Sequence, residues 1–564
     1  MLSDIEIVQK AKILPIERIA RKIRIDKSFL IPHGKYIAKI DLNVLATLSK
    51  RRRGKYIVVS AMTPTPLGEG KTVTTIGLSM ALNKLGQKAS ACIRQPSLGP
   101  VFGIKGGAAG GGYSQVLPME EFNLHFSGDT HAVSLAHNLA AAFLDNSIFK
   151  GNRLRVNPQT MVWRRVIDIN DRSLRVIKTG LGLEQESLVQ ESGFDITASS
   201  EVMAVLALST GLPDLRKRLG NIVLAYTDEQ KPLTCDDIRV AGSMAALLKE
   251  AIKPNLIQTI EHTPCFVHAG PFGNIAHGNS SILADMIALS CSDYVVTESG
   301  FGADCGAEKF FDIKCRASGF TPDAAVIVCS VRALKAHSGR FTVVAGKPLD
   351  KELTKENICA VEVGLSNLAK QIENVRLFGI PVVVAINRFN TDTDQEIDFV
   401  KKKTLEFGAC DCVVSEVWLK GGAGGLDLGR AVIRAAQEKN NFHFLYPLEL
   451  SLKEKIEKIA VSMYGAKGVS YTPAAESKIE LFTRQGWAQL PVCMSKTHLS
   501  LSHDPLLLGR PKDFILPIRD IRAFIGAGFL SPLCGSIQTM PGLPRHPAGE
   551  KIDIDDTGTI TGLF

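Results

Sequence analysis

Tyr56-Ile-Val-Val-Ser-Ala-Met62 runs directly into Thr63-Pro-Thr-Pro-Leu-Gly-Glu-Gly-Lys-Thr72. The first run is apolar and β-branched, the composition of a strand buried on both faces, and it stops at Thr63. Pro and Gly fill the connection. Val73, Ile76, Met80, Leu82 and Leu85 then recur at helical spacing, and Gly86 closes the run. Strand, glycine loop, Gly-Lys-Thr and helix in this order form the setting of a phosphate-binding loop, whose amides and helix start face an anion. Thr65, Pro66, Leu67, Gly68, Glu69 and Gly70 would then wrap the phosphates of ATP. Lys71 would neutralise the terminal ones, and the Thr72 hydroxyl would hold Mg²⁺. One position departs from G-x-x-x-x-G-K-[ST]: Thr65 occupies the place of the first glycine. An ordinary turn is the bland alternative, but the ordered features favour binding of a nucleoside triphosphate.

The 564 residues exceed one compact core. With 45% hydrophobic and 22% charged residues, the chain reads as a globular enzyme rather than a disordered or fibrous one. No apolar run approaches the roughly 20 residues that cross a bilayer. The N-terminus carries early acids and no signal-type apolar segment, so the expected location is cytoplasmic. The twelve cysteines lack any C-x-x-C spacing and are expected to be reduced, mostly buried thiols. The net charge of +9 comes with short basic runs and only 6% aromatics, which excludes a nucleic-acid stacking platform. Small polyanionic substrates fit the positive excess better.

Further strands are expected at Ala89–Arg94, Asp293–Glu298, Ala324–Ser330 and Pro381–Asn387. The fold class is α/β: a P-loop NTPase-like, doubly wound, mainly parallel sheet in a large N-terminal domain, with two smaller α/β domains. The expected boundaries are 1–360, 361–450 and 451–564. Residues 1–55 read as a helical, basic wrapping segment, and 195–219 and 241–256 as amphipathic helices. Arg94 ends the second strand, whose C-terminal end is expected beside the loop, within reach of a transferred phosphoryl or acyl phosphate group. Glu298 and Asp304 follow another strand end and are the two candidates for the acid that orders Mg²⁺. The glycine-dense stretch Gly103–Tyr113 is either a linker or backbone that closely approaches a ligand. His125, His131 and His137 are spaced six apart, which does not gather them on one helix face. Phe301 and Trp418 each flank a glycine turn, and Asn387 ends a strand where it can meet a purine edge.

Several longer strings then come together. Alongside residues 63–72 are Asn123-Leu-His-Phe-Ser-Gly-Asp129, Gly270-Pro-Phe-Gly-Asn-Ile-Ala-His-Gly278, Glu298-Ser-Gly-Phe-Gly-Ala-Asp304 with its continuation to Arg316, Val384-Ala-Ile-Asn387 and Thr539-Met-Pro-Gly-Leu-Pro544. With these, nearly the whole chain resembles the formate–tetrahydrofolate ligase family, whose loop also carries Thr65. Ala269 and Gly273 occupy places where that family is expected to have Gly and Ala, and Gln371 one where His is expected. The resemblance implies ATP-dependent ligation of formate to tetrahydrofolate through formyl phosphate. It gives Lys71 and Arg94 catalytic roles, with Arg94 holding the intermediate. Phe301 and Trp418 would sandwich the pterin, with Phe389 and Asn387 on the folate or base side. It also implies a K⁺ or NH₄⁺ activator, a polyglutamylated folate, a homotetramer, and no membrane or nucleic-acid partner. A fused dehydrogenase–cyclohydrolase module is not expected at this length. A P-loop ATPase acting as a switch or scaffold is the competing reading; its ATP hydrolysis would ignore formate and folate. A non-catalytic relative is a third.

Overall fold

The computed structural model describes residues 2–49, 51–105, 108–181, 189–344, 349–535 and 537–563. Among them, one 12-stranded sheet organises the chain. Its main path uses β1 (Leu30–His33), β2 (Ile37–Ile40), β3 (Lys55–Ala61), β4 (Ala89–Ile93), β5 (Asn255–Thr259), β6 (Pro264–Val267), β7 (Tyr294–Glu298), β8 (Ala324–Cys329), β9 (Val382–Asn387) and β10 (Asp411–Ser415). The spatial order is β1-β2-β5-β6-β4-β7-β3-β8-β9-β10. From β6 to β10 every pairing is parallel, whereas β1, β2, β5 and β6 pair antiparallel. The result is a mixed α/β structure around a large, mainly parallel sheet.

The continuous apolar runs explain the central strands. β4, β7, β8 and β9 are buried along their whole length, as strands covered on both faces must be. The helix Lys71–Lys84 packs on this sheet and is itself buried from Thr74 to Leu82. Close approach explains part of that: a side chain at Gly77 would collide with Val417.

β7 lies between β4 and β3, a long-range insertion that local pattern does not encode. Three sequence expectations change. Residues 1–55 contain the helices Asp4–Lys10, Ile16–Lys22 and Val44–Leu48, but also β1 and β2, which cap the sheet edge. Pro32 favours an edge strand there, and the turn at Gly34 takes φ +72°. The helix in 241–256 ends at Leu247, and Asn255 starts β5 just after Pro254, which cannot continue a helix. Residues 195–219 begin in the strand Phe194–Ile196 and split into Glu201–Leu208 and Leu212–Gly220, with Gly211 and Pro213 at the break.

Residues 361–450 contribute β9 and β10 to the main sheet. Farther on, β11 (Gly468–Tyr471), β12 (Ile515–Phe524) and β13 (Phe529–Cys534) form a separate three-stranded sheet. No helix among the described residues is long and apolar enough to cross a membrane. The cysteines are free thiols, with only Cys359 and Cys410 exposed.

Candidate active site

The mouth of the sheet lies at the carboxyl ends of β4, β7 and β3, where open parallel sheets bind ligands. Register fixes who meets whom. Glu298 of β7 is level with Val59 of β3, and Thr297 is level with Cys92 of β4. Two residues beyond Cys92, just past the end of β4, comes Arg94, and β3 leads into the glycine loop. Glu298 therefore stands between the two groups that the sequence singled out.

Its carboxylate serves both. The Thr72 hydroxyl donates to Glu298 Oε2 at 2.6 Å. Arg94 Nε lies 3.5 Å from Glu298 Oε1, and Arg94 Nη1 donates to the Pro271 carbonyl at 3.4 Å. Pro271 belongs to the second glycine-rich loop, so three remote segments converge on this point. Glu298 is nearly buried, while the Arg94 side chain keeps 27% of its surface exposed, enough to meet a ligand.

The loop itself is braced from within. Thr65 donates to Glu69 Oε1 through both its amide and its hydroxyl, each at 2.9 Å, and Ser330 donates to Oε2 at 2.7 Å. Burial pushes the Glu69 carboxyl above its ordinary value, opposed by these bonds and by the charge of Lys71. Pro66, Leu67 and Gly68 form the exposed tip, with the Gly68 amide donating to the Thr65 carbonyl. Gly70 precedes the helix at φ +76°, and Asn387 Nδ2 would sit 2.7 Å from a Cβ there. Only glycine meets both demands. Asn387 also donates to the Glu69 carbonyl at 3.3 Å, which sets the end of β9 against the loop.

The two acid candidates separate cleanly. Asp304 is ion-paired to Lys496 at 2.7 Å with both side chains almost fully buried. Gln371 donates to Asp304 Oδ1 at 2.7 Å and to the Thr63 hydroxyl at 3.0 Å, and accepts from the Asp304 amide. Glu298 is the acid that reaches Thr72. Among the described residues no group of three His, Cys, Asp or Glu could hold a metal ion. A divalent cation at Thr72 would thus draw most of its oxygens from phosphate and water, the usual habit of Mg²⁺.

The aromatic candidates lie in different surroundings. Phe301 adopts φ +61° and stacks on His498, ring centroids 4.2 Å apart. Trp418, 38% exposed, packs its indole against Gly111, and its carbonyl accepts from the Tyr113 amide at 2.8 Å. The glycine-dense stretch thus closely approaches Trp418 at its described end; Gly106 and Gly107 lie outside the described residues. Phe389 lies under the Arg332 guanidinium, 4.1 Å from the ring centroid. Of the spaced histidines, His137 is buried, hydrogen-bonded to Ser200 and to the Arg164 carbonyl.

The family profile for formate–tetrahydrofolate ligase matches residues 2–564. The chain is 57% identical over 563 residues to the formate–tetrahydrofolate ligase of Roseiflexus castenholzii, covering 100% of both chains. Identity is 55% over 562 residues to that of Desulforamulus reducens, covering 100% of this chain and 99% of the relative. It is 52% over 564 residues to that of Cutibacterium acnes, again covering 100% of both. The chain belongs to the formate–tetrahydrofolate ligase family.

The three residues singled out as unexpected for this family each have definite surroundings. Ala269 takes φ +54°, a conformation that costs a side chain energy and that glycine adopts freely. At Gly273 a Cβ would come within 2.9 Å of the Phe301 ring, so glycine leaves that ring its room. Gln371 satisfies Thr63 and Asp304 with an amide that does not titrate. Sequence reasoning missed His498, Arg332, Ser330 and Lys496. Each meets its partner across a long chain separation, and no local pattern marks them.

Proposed function

We propose that this chain ligates formate to tetrahydrofolate in two steps at the mouth of the sheet. Formate is a poor acylating agent because oxide would have to leave; phosphorylation supplies a better leaving group. A formate oxygen attacks the γ-phosphorus of ATP, the bond to the bridging oxygen breaks, and ADP departs. The N10 amine of tetrahydrofolate then attacks the formyl carbon of formyl phosphate. The C–O bond to phosphate breaks, the amine loses its proton, and 10-formyltetrahydrofolate and phosphate result.

The observation that carries this reading is the pairing of Thr72 and Arg94 on opposite oxygens of one carboxylate, at 2.6 and 3.5 Å. Nucleotide-side and acyl-side groups thereby share one mouth. In a P-loop NTPase-like arrangement, the amides of residues 65–70 and Lys71 hold the terminal phosphates. Arg94 holds the trianionic centre as formate approaches, offsetting the repulsion between two anions. Thr72 and Glu298 are oxygen donors suited to a hard cation, and Mg²⁺ when bound there withdraws charge from the phosphates. Asn387 and Phe389 serve the base side. Phe301 offers the pterin the face not covered by His498, and the partly exposed Trp418 is the second ring assigned to it.

On this reading residues 1–360 carry nucleotide and formyl phosphate, 361–450 add base and folate contacts, and 451–564 brace the site through Lys496 and His498. A cytoplasmic homotetramer activated by K⁺ or NH₄⁺ and using a polyglutamylated folate completes the proposal. The test is an assay with formate, ATP or tetrahydrofolate omitted in turn, run with and without K⁺. Product formation must require all three substrates; ATP hydrolysis indifferent to formate and folate supports a switch ATPase instead.

A further inference from the structure

We infer that Glu298 is a positioning residue that couples the divalent cation on the nucleotide to the anion-binding strength of Arg94. The inference rests on the functional reading above, in which Thr72 meets the cation and Arg94 the acyl phosphate. Three observations carry it. Glu298 lies on β7, the strand inserted between the strands that deliver the loop and the arginine. Its Oε2 accepts the Thr72 hydroxyl hydrogen, which leaves the lone pairs of the hydroxyl oxygen available to a cation. Its Oε1 faces Arg94 Nε, while the Pro271 carbonyl holds Nη1, so the guanidinium is fixed on one edge by a formal charge and on another by a neutral dipole.

The consequence is electrostatic. Without a cation, the Glu298 carboxylate neutralises Arg94 and competes with any anionic ligand for it. A divalent cation beside Thr72 draws the field of that carboxylate to itself, and the Arg94 charge then becomes available to a phosphate. At a nearly buried acid this exchange is weakly screened. The 3.5 Å contact to Arg94 is long for a salt bridge, as suits a partner that must be released. Coupling of this kind is reciprocal: the anion strengthens binding of the cation–nucleotide as much as the reverse. Formyl phosphate would accordingly be held hardest while Mg²⁺ and nucleotide are still in place.

The experiment is calorimetric binding of inorganic phosphate to the full-length protein, alone, with MgADP, and with ADP plus EDTA. MgADP is expected to tighten phosphate on the order of tenfold, and ADP without the cation to leave it unchanged. Glu298→Gln keeps an acceptor for Thr72 but removes the charge. Its phosphate affinity without nucleotide should exceed that of the parent, and the response to MgADP should shrink toward none. Glu298→Asp, which keeps the charge, should retain the response and guards against a folding defect in the glutamine variant. An unchanged response in Glu298→Gln, or an equal response to ADP with and without the cation, overturns the coupling. Phosphate binding that is indifferent to Arg94→Ala overturns instead the functional reading on which it rests.

Discussion

Two ion pairs at the foot of the same loop behave in opposite ways. Asp304 and Lys496 lie 2.7 Å apart, with 2% and 0% of their side chains exposed. Arg94 and Glu298 lie 3.5 Å apart, and Arg94 retains 27% exposure. The first pair is closed, tight and committed to joining the C-terminal segment to the chain after β7. The second is loose, shared with Thr72 and open toward the mouth. A buried pair holds structure because breaking it strands a charge, whereas a half-open pair at a strand end can trade partners with a ligand. From sequence, both acids look equally fit for a metal; their partners tell them apart.

The largest expected contrast between the pairs is in stability. Lys496→Ala leaves Asp304 buried without its counter-charge and should lower unfolding free energy by about 3–5 kcal/mol. Arg94→Ala should cost less, because the Glu298 carboxylate it leaves behind keeps the Thr72 hydroxyl and the contact it loses is already long. Urea melts of the two variants compare them directly; equal losses would erase the distinction. Activity should show the reverse pattern. Lys71→Ala, which removes a positive charge from the mouth, should lower turnover at least ~100-fold. A near-normal turnover would remove Lys71 from the chemistry.

A smaller effect sharpens the open side. Trp418→Ala should weaken tetrahydrofolate by on the order of 1–3 kcal/mol and ATP hardly at all, measured by separate titrations. Equal weakening of both ligands would point to collapse of the Gly111–Tyr113 backbone against Trp418 rather than to a lost pterin wall.

A separate effect concerns pH and the closed interior. Burial drives His137 and His268 down to about 4 from an ordinary 6.5. A depressed histidine binds its proton more readily when unfolded, so its contribution to stability is complete above 6.5 and fades as pH falls toward 4. Each should add a slope of up to about 1.4 kcal/mol per pH unit within that window. Urea midpoints between pH 7 and 5 read this, and a flat profile would contradict it.

Much of the fold was legible because central parallel strands write themselves as unbroken apolar runs: β3, β4, β7, β8 and β9 fall where the residues place them. The edge was not. Ile37–Ile40 is short, and its burial comes from β5, more than two hundred residues away. Strand order was equally hidden, because insertion of β7 between β3 and β4 is a tertiary choice. The site follows the same division. Loop residues 65–72, Arg94 and Glu298 announce themselves by position at strand ends. Lys496, His498 and Arg332 do not, since each is brought to the site's residues only by tertiary packing.

The central claim is that one mouth first phosphorylates formate and then transfers its formyl group. Turnover with formate labelled with ¹⁸O in both oxygens, followed by mass analysis of the released phosphate, tests it most directly. The account predicts one formate-derived oxygen in each phosphate, because the attacking oxygen stays on phosphorus when the amine expels it. Phosphate released without the label would mean that no formyl phosphate forms, and the roles given to Lys71 and Arg94 would be wrong.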